Sequence, residues 1–447
     1  MEKTPIIDED DQASLAKEQD LRRSPAHPGY VMVHKRRLCP GSLREFENET
    51  QNFPNRKKAE KAQYDPFVLI PEYFESSVCL CYLGLDDAIA EKLWKEWDED
   101  KDQERKDVES VQDDAAEHIK NTEPTKDTDS SDDRHWHELL SKIGVNEDFR
   151  RNLMDPHYKD VRLTNTCKYW VQYFFEHRKH TLVEIRRFSR ERSYERSAGK
   201  HTADQKLGRG PKTSVWSMAQ AEKTGTLALW TSQAFHRHSG LALNPVSWKV
   251  NNWQCVGKTG ARDFTHFGAA YFTPQRDVAL HGLGWHKKND PAAGYLLIRL
   301  VVPAVYITNM EDGGNRIEML STDPLWQDVV SYSRRGISQV GANDDTSPAN
   351  AVRKALLIHG HMAKGLDRPE RESPISSSEP VVPQVSSEPY LNRDGKPALQ
   401  YAFRVWHPTL TAIAEMAFKQ HEVAYVDSKD VAEIEHMWDV KNRTSGQ

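Results

Sequence analysis

The feature that most constrains this chain is an abrupt change of texture near residue 224. Before it, apolar residues recur at helical spacing between strongly charged stretches. After it, short β-like runs follow one another, punctuated by Gly and Pro. Helical and strand signals in this order read as an α+β fold. The strongest run is Gly294-Tyr295-Leu296-Leu297-Ile298-Arg299-Leu300-Val301-Val302, ended by Pro303. Further strands are expected at Thr226 to Trp230, Ala269 to Thr273, Leu356 to Ile358 and Leu399 to Val405. Asp277 to Trp285 and Trp326 to Arg335 are helix candidates between them.

The front half reads differently. Residues 1–60 are polar, without sustained periodicity, and are expected to form a loose arm. Phe67-Val68-Leu69-Ile70 is a short apolar run. Asp86 or Asp87 can cap a helix in which Ile89, Leu93 and Trp97 share one face. Residues 98–133 hold 15 Asp and Glu against 5 Lys and Arg. A stretch so charged buries too little apolar surface to offset its ordering entropy, so a disordered acidic linker is expected inside the helical region 61–220. His135 to Ile143 is a short helix candidate, and Thr166 can cap a longer one through Trp170, Phe174, Leu182, Ile185 and Phe188. Its far part, 176–200, has 8 Lys and Arg against 4 Glu and reads as a helix with interleaved charges on its wet face. The Ser-, Pro- and Glu-rich stretch 366–389 is expected to be a disordered insert in the back half, 221–447.

Composition narrows the function. The net charge of −6 gives no electrostatic reason to expect a nucleic-acid or anionic-membrane surface. No apolar run approaches the roughly 18–20 residues of a membrane span, and the first residues lack a secretory leader. Five scattered cysteines argue for a reducing compartment, so a cytoplasmic or nuclear location is expected. Cys79 and Cys81, read at strand spacing, are taken as buried thiols rather than zinc ligands. Three His-x-His pairs, His135/His137, His236/His238 and His359/His361, lack a third ligand in register, and no metal is expected. The nucleophile elbow, the phosphate-binding loop, the zinc-protease helix and the dinucleotide fingerprint are all missing, and Gly282-x-Gly284 has no third glycine.

One constellation stands out by its order. Leu229-Trp230-Thr231-Ser232 is followed by Phe267-Gly268-Ala269-Ala270-Tyr271-Phe272-Thr273, then Ala279-Leu280-His281, the strand 294–303, and Leu399-Gln400-Tyr401-Ala402-Phe403. This series resembles the ADP-ribosyltransferase superfamily, and in Trp326 with Arg334-Arg335-Gly336 it resembles fungal members in particular. The resemblance covers about 180 of 447 residues, in the region 226–405. It implies a split β-sheet domain at 221–447 and NAD as substrate, with an unidentified protein acceptor or partner.

The resemblance also implies roles. Cleaving the nicotinamide–ribose bond develops positive charge on the sugar, so the site needs aromatic planes for the nicotinamide and an acceptor near that charge. Tyr271 would be the clamp and Gln400 would stand where the family has its catalytic Glu. Trp230, Thr231, Ser232, Gly268, Phe272 and His281 would complete the NAD site, His281 as a second stacking ring. Thr231 replaces the family's His or Arg. Glutamine accepts a hydrogen bond but carries no charge and is no base. Two readings therefore stay open: a transferase or NAD hydrolase with altered catalytic residues, and an inactive nucleotide- or protein-binding module or scaffold. His236, His238, Glu311 and Glu318 are the residues considered as replacements.

Overall fold

A computed structural model describes residues 4–38, 67–99, 110–122, 132–199, 224–234, 269–312, 315–334, 354–364, 389–404 and 421–426, with short pieces near 218, 263, 352, 430 and 434. The molecule mixes helix and sheet, as an α+β chain should. Its front part holds α1 (Glu9–Lys17), β1 (Leu21–Arg23), β2 (Tyr30–His34), β3 (Phe67–Pro71), α2 (Ser77–Leu83), α3 (Asp87–Glu99), α4 (Val111–Asn121), α5 (Asp133–Ile143), α6 (Glu147–Leu153), α7 (Lys159–Arg162) and α8 (Cys167–Ser197). The back part runs β4 (Thr226–Ala234), β5 (Ala269–Phe272), α9 (Arg276–Asn289), β6 (Tyr295–Pro303), α10 (Ala304–Asp312), β7 (Arg316–Met319), α11 (Pro324–Arg334), β8 (Leu357–His361), β9 (Leu399–Arg404) and β10 (His421–Val426).

Several front-half expectations need correction. Residues 9–17, assigned to a loose arm, form α1. Asp8 caps it, and Asp11 is fully buried against α8, where it accepts from Ser189 Oγ at 2.7 Å and from Arg192 Nη2 at 2.6 Å, and pairs with Arg196. The partners lie 178 to 185 residues away, beyond any sequence window. β1, β2 and β3 make an antiparallel sheet in which Val31 and Val33 of β2 point inward. Within the supposed acidic linker, α4 buries Val111, Ala115 and Ile119 at i, i+4, i+8, and Ser110 with Asp113 forms its capping box. Averaging charge over 36 residues hid that stripe; 100–109 and 123–131 lie outside the described residues.

Cys79 and Cys81 sit on a helix. Ser76 Oγ accepts from Cys79 N–H at 3.1 Å to start α2, and Gly84, at φ +128°, ends it where a Cβ would meet the Phe149 ring at 2.4 Å. Burial pushes both thiols up to about 12, with Asp87 adding to the effect at Cys81, so both are protonated at neutral pH. The basic stretch of α8 is also more engaged than expected. Arg178 is buried and donates to the carbonyls of Asn289 and Tyr82, while Arg187 pairs with Glu184 and Glu191.

The back half has two sheets. β10, β6 and β4 form one, wholly antiparallel. β5, β9, β8 and β7 form the other, with β7 and β8 parallel. They meet where Trp230 N–H donates to the Thr273 carbonyl at 2.7 Å and Thr273 N–H returns to the Trp230 carbonyl at 2.8 Å. α10, β7 and β10 are elements the sequence reading did not assign. α9 packs Leu280 and Leu283 with the apolar face of β6, and Val278 and Trp285 into the same core as Trp170 and Phe174 of α8. Residues 365–388, most of the expected insert, lie outside the described residues. Among the described residues, no helix is long and apolar enough to cross a membrane.

Asp290 locks α8 to the end of α9. Its Oδ2 accepts from Thr181 Oγ1 at 2.7 Å and lies 2.8 Å from His177 Nδ1, while Oδ1 accepts the Ala293 N–H. Burial alone would raise this carboxyl, but His177, Arg178 and Thr181 outweigh it and hold it down to about 2, below the ordinary 3.8. A carboxyl depressed on folding stabilises fully above its unfolded pKa and loses that contribution as pH falls through the folded one. Acid unfolding should therefore steepen between about pH 4 and pH 2. Urea titrations of Asp290→Asn should be less stable at pH 7 and show a flatter pH dependence in that window.

Candidate functional site

One cavity of about 150 Å³ lies along α9, between the two sheets and the front helices. Trp230, Thr231 and Ser232 reach it from β4, Tyr271 and Phe272 from β5, and Gln400 from β9. Val278, Ala279, Gly282 and His286 come from α9. Val161, Thr164 and Trp170 close it from the helical side, and Met362 and Tyr390 complete it.

The strands explain the convergence. β5 pairs antiparallel with β9, Tyr271 opposite Ala402 and Phe272 opposite Tyr401, so the next step along brings Thr273 level with Gln400. The Trp230–Thr273 backbone pair then holds β4 against the end of β5. Residues 170 positions apart in the chain thus meet at one opening between sheets. On α9, Gly282 keeps that opening clear: a Cβ there would meet no heavy atom within 4 Å. Gly284 serves packing instead, since a Cβ would lie 2.7 Å from Tyr158 Oη.

The lining is aromatic and carries no Asp, Glu, Lys or Arg. Trp170 is fixed by its Nε1–H, which donates to the Arg162 carbonyl at 2.7 Å, and by an edge contact with Trp285, ring centroids 4.5 Å apart. Trp230 has the Arg276 and Arg299 guanidinium carbons 5.7 and 5.6 Å from its ring centroid, a cation–π arrangement. Gln400, 6% exposed, donates from Nε2 to Asp263 Oδ2 at 2.7 Å, and that oxygen also accepts the Ala363 N–H at 3.0 Å.

His281 does not occupy the place expected of it. It lies behind the lining, buried, stacked on Tyr158 with centroids 5.0 Å apart. Burial, aided by neighbouring His157, lowers its pKa to about 3, so the ring is neutral. Its Nε2 faces the His157 carbonyl at 3.2 Å and must carry the proton; Nδ1, 2.7 Å from Tyr390 Oη, therefore accepts from the phenol. The ring that reaches the cavity is Tyr390. Sequence reading missed it, because it follows directly on the Ser/Pro/Glu-rich insert and belongs to no apolar run. Trp170 was assigned to a helix core and also serves as a cavity wall.

The remaining candidates fall elsewhere. Gly268, His236 and His238 lie outside the described residues. Glu318 is on β7 beside His359, outside the cavity lining, and Glu311 belongs to α10. His359 Nε2 accepts from Arg316 at 2.6 Å and His361 Nδ1 accepts the Ser321 N–H at 3.0 Å, so these lone pairs are already engaged. Among the described residues, no group of three or more His, Cys, Asp or Glu side chains could hold a metal ion. No family model, curated protein or solved structure matches this chain.

The His281–Tyr390 bond has a direct test. In His281→Phe the Tyr390 hydroxyl loses its acceptor in a buried place, which costs about 1–3 kcal/mol. Urea denaturation should show a loss of that size, whereas His281→Asn, which can still accept, should recover part of it.

Proposed function

We propose that this chain is an ADP-ribosyltransferase-like protein whose cavity receives the nicotinamide end of NAD. The supporting observation is that Trp230, Thr231, Ser232, Tyr271, Phe272 and Gln400, drawn from three strands far apart in sequence, line a single cavity. Its volume of about 150 Å³ matches one six-membered ring and not a dinucleotide. The ribose would then lie at the mouth and the ADP portion outside it.

Aromatic walls suit a flat pyridinium, which stacks on π faces and gains from their negative quadrupole. Thr231, Ser232, Thr273 and Gln400 offer hydroxyl and amide groups to the carboxamide and sugar. Catalysis in this site would break the bond between ribose C1′ and the nicotinamide nitrogen. The bonding pair returns to the ring, neutralising the pyridinium, while an acceptor oxygen or water bonds to C1′ and loses its proton to solvent. The acceptor in the transfer reading is a protein or another nucleophile outside the cavity.

A second reading is favoured by one particular: no lining residue is an acid, and the position of the family's Glu holds Gln400. Loss of one well-placed electrostatic partner typically costs about 10²–10³ in rate. On that reading the protein binds a nucleotide, or a partner presenting an aromatic group, without turnover.

Incubating the full chain with NAD separates the two. Binding should stabilise it by about 2.7 kcal/mol at a ligand concentration a hundredfold above Kd. Nicotinamide release on top of that stabilisation supports the transferase or hydrolase reading; stabilisation alone supports the binding module. Absence of both effects overturns the transferase and nucleotide readings and leaves the partner-binding one. Gly282→Leu should abolish NAD binding by filling the cavity, while thermal melting without ligand stays at or above the parent value, because leucine favours helix over glycine by close to 1 kcal/mol.

A further inference from the structure

The Gln400–Asp263 pair says more than that an acid is missing from the lining. An ionised carboxylate is an acceptor only, so it dictates which end of a neighbouring amide faces it. The Gln400 NH₂ group must point to Asp263 Oδ2, 2.7 Å away, and Oε1 must point the other way. Gln400 lines the cavity and Asp263 does not. Among the described residues none donates a hydrogen bond to Gln400 Oε1, so this acceptor is still available. Asp263 itself is held: it is 8% exposed, and the Ala363 N–H donates to the same oxygen.

We propose that Asp263 is the positioning residue of this site, holding Gln400 Oε1 toward the cavity and making it a strong acceptor for a sugar hydroxyl of the ligand. The identity of that hydroxyl, on the ribose next to nicotinamide, rests on the NAD reading above. Two physical effects act together. The hydrogen bond from the amide to an ionised oxygen is charge-assisted and roughly twice as strong as a neutral one. It also draws electron density through the amide toward Oε1, since hydrogen bonds in series polarise one another in a low-dielectric interior.

The arrangement also accounts for glutamine at this position. A glutamate at 400 would place two carboxylates within hydrogen-bond distance, where both cannot ionise and one is forced to take a proton. With glutamine there, the carboxylate of Asp263 meets an amide donor and not a second acid. The amide at 400 and the acid at 263 are thus a matched set: exchanging both should be tolerated where exchanging one is not.

The experiment uses the full chain and two probes, NAD and nicotinamide. Glutamine side chains are labelled with ¹⁵N, and the Gln400 amide signal is identified by its loss in Gln400→Glu. Asp263→Asn should move that signal, weaken NAD about tenfold and leave nicotinamide, which has no sugar, unchanged. Gln400→Glu alone should weaken NAD similarly, and the double exchange Gln400→Glu with Asp263→Asn should restore it. An amide signal indifferent to Asp263→Asn overturns the proposal. So does an equal loss for both probes, which would mean the substitution only damages the cavity, or a double exchange no better than the single ones. If the parent chain binds neither probe, the NAD reading falls and the named sugar with it, while the amide signal still decides whether Asp263 orients Gln400.

Discussion

A helix with no wet face governs this structure. α9 buries Val278, Ala279, Leu280, His281, Leu283, Trp285, Lys287 and Asn289 on all sides. Such a helix cannot exist on a sheet alone, because the half turned away from the sheet would expose Trp285 and strand its polar groups. The front helices supply the second cover. Several of its buried polar groups find partners there or close by: Lys287 Nζ donates to the Ala293 carbonyl at 2.6 Å, His281 donates to the His157 carbonyl, and Asp290, just past its end, accepts from α8. The front and back of the chain thus share one core, to which α9 contributes Val278 and Trp285, and the cavity is the space this helix leaves open at Gly282.

The electrostatics of that cavity follow from its lining, which holds five aromatic residues and no Asp, Glu, Lys or Arg. Ions facing an aromatic pocket would lose hydration without regaining it, so charge is kept one layer behind the lining. Two polar groups at the wall are each held by a buried titratable partner. His281, neutral, takes the Tyr390 proton donor; Asp263 takes the Gln400 amide. Burial raises the Tyr390 pKa well above 10, so it remains a phenol and a donor. The wall thus presents Tyr390 and Gln400 with partners that stand behind it.

Much of the secondary structure was legible because it is written in local periodicity. β4, β5, β6, β9, α9 and the Thr166-capped α8 follow from runs and caps within a few residues, and Thr166 Oγ1 does accept the Tyr169 N–H. α1 and α4 were missed for the opposite reason. Their own sequences are mostly polar, and what holds them is a narrow apolar stripe or a buried carboxylate paired with two arginines of α8. Cys79-x-Cys81 was misread because a two-residue spacing in a short apolar run cannot tell strand from helix; the capping serine and the terminal Gly84 decided it.

For the site, the chain alone determined which residue types were on offer: Trp230, Thr231, Tyr271 and Gln400 in strand-like runs, in an order that suggested a shared pocket. Strand alternation is a local rule, so their placement on β4, β5 and β9 could be read from neighbours only. Which rings actually face the cavity was settled by tertiary packing. Tyr390 takes the place expected of His281, Trp170 comes in from the far side of α9, and Asp263 stands behind Gln400. Each depends on contacts more than a hundred residues apart, and such contacts are fixed by how sheets and helices cover one another's apolar faces, a quantity no window of sequence contains.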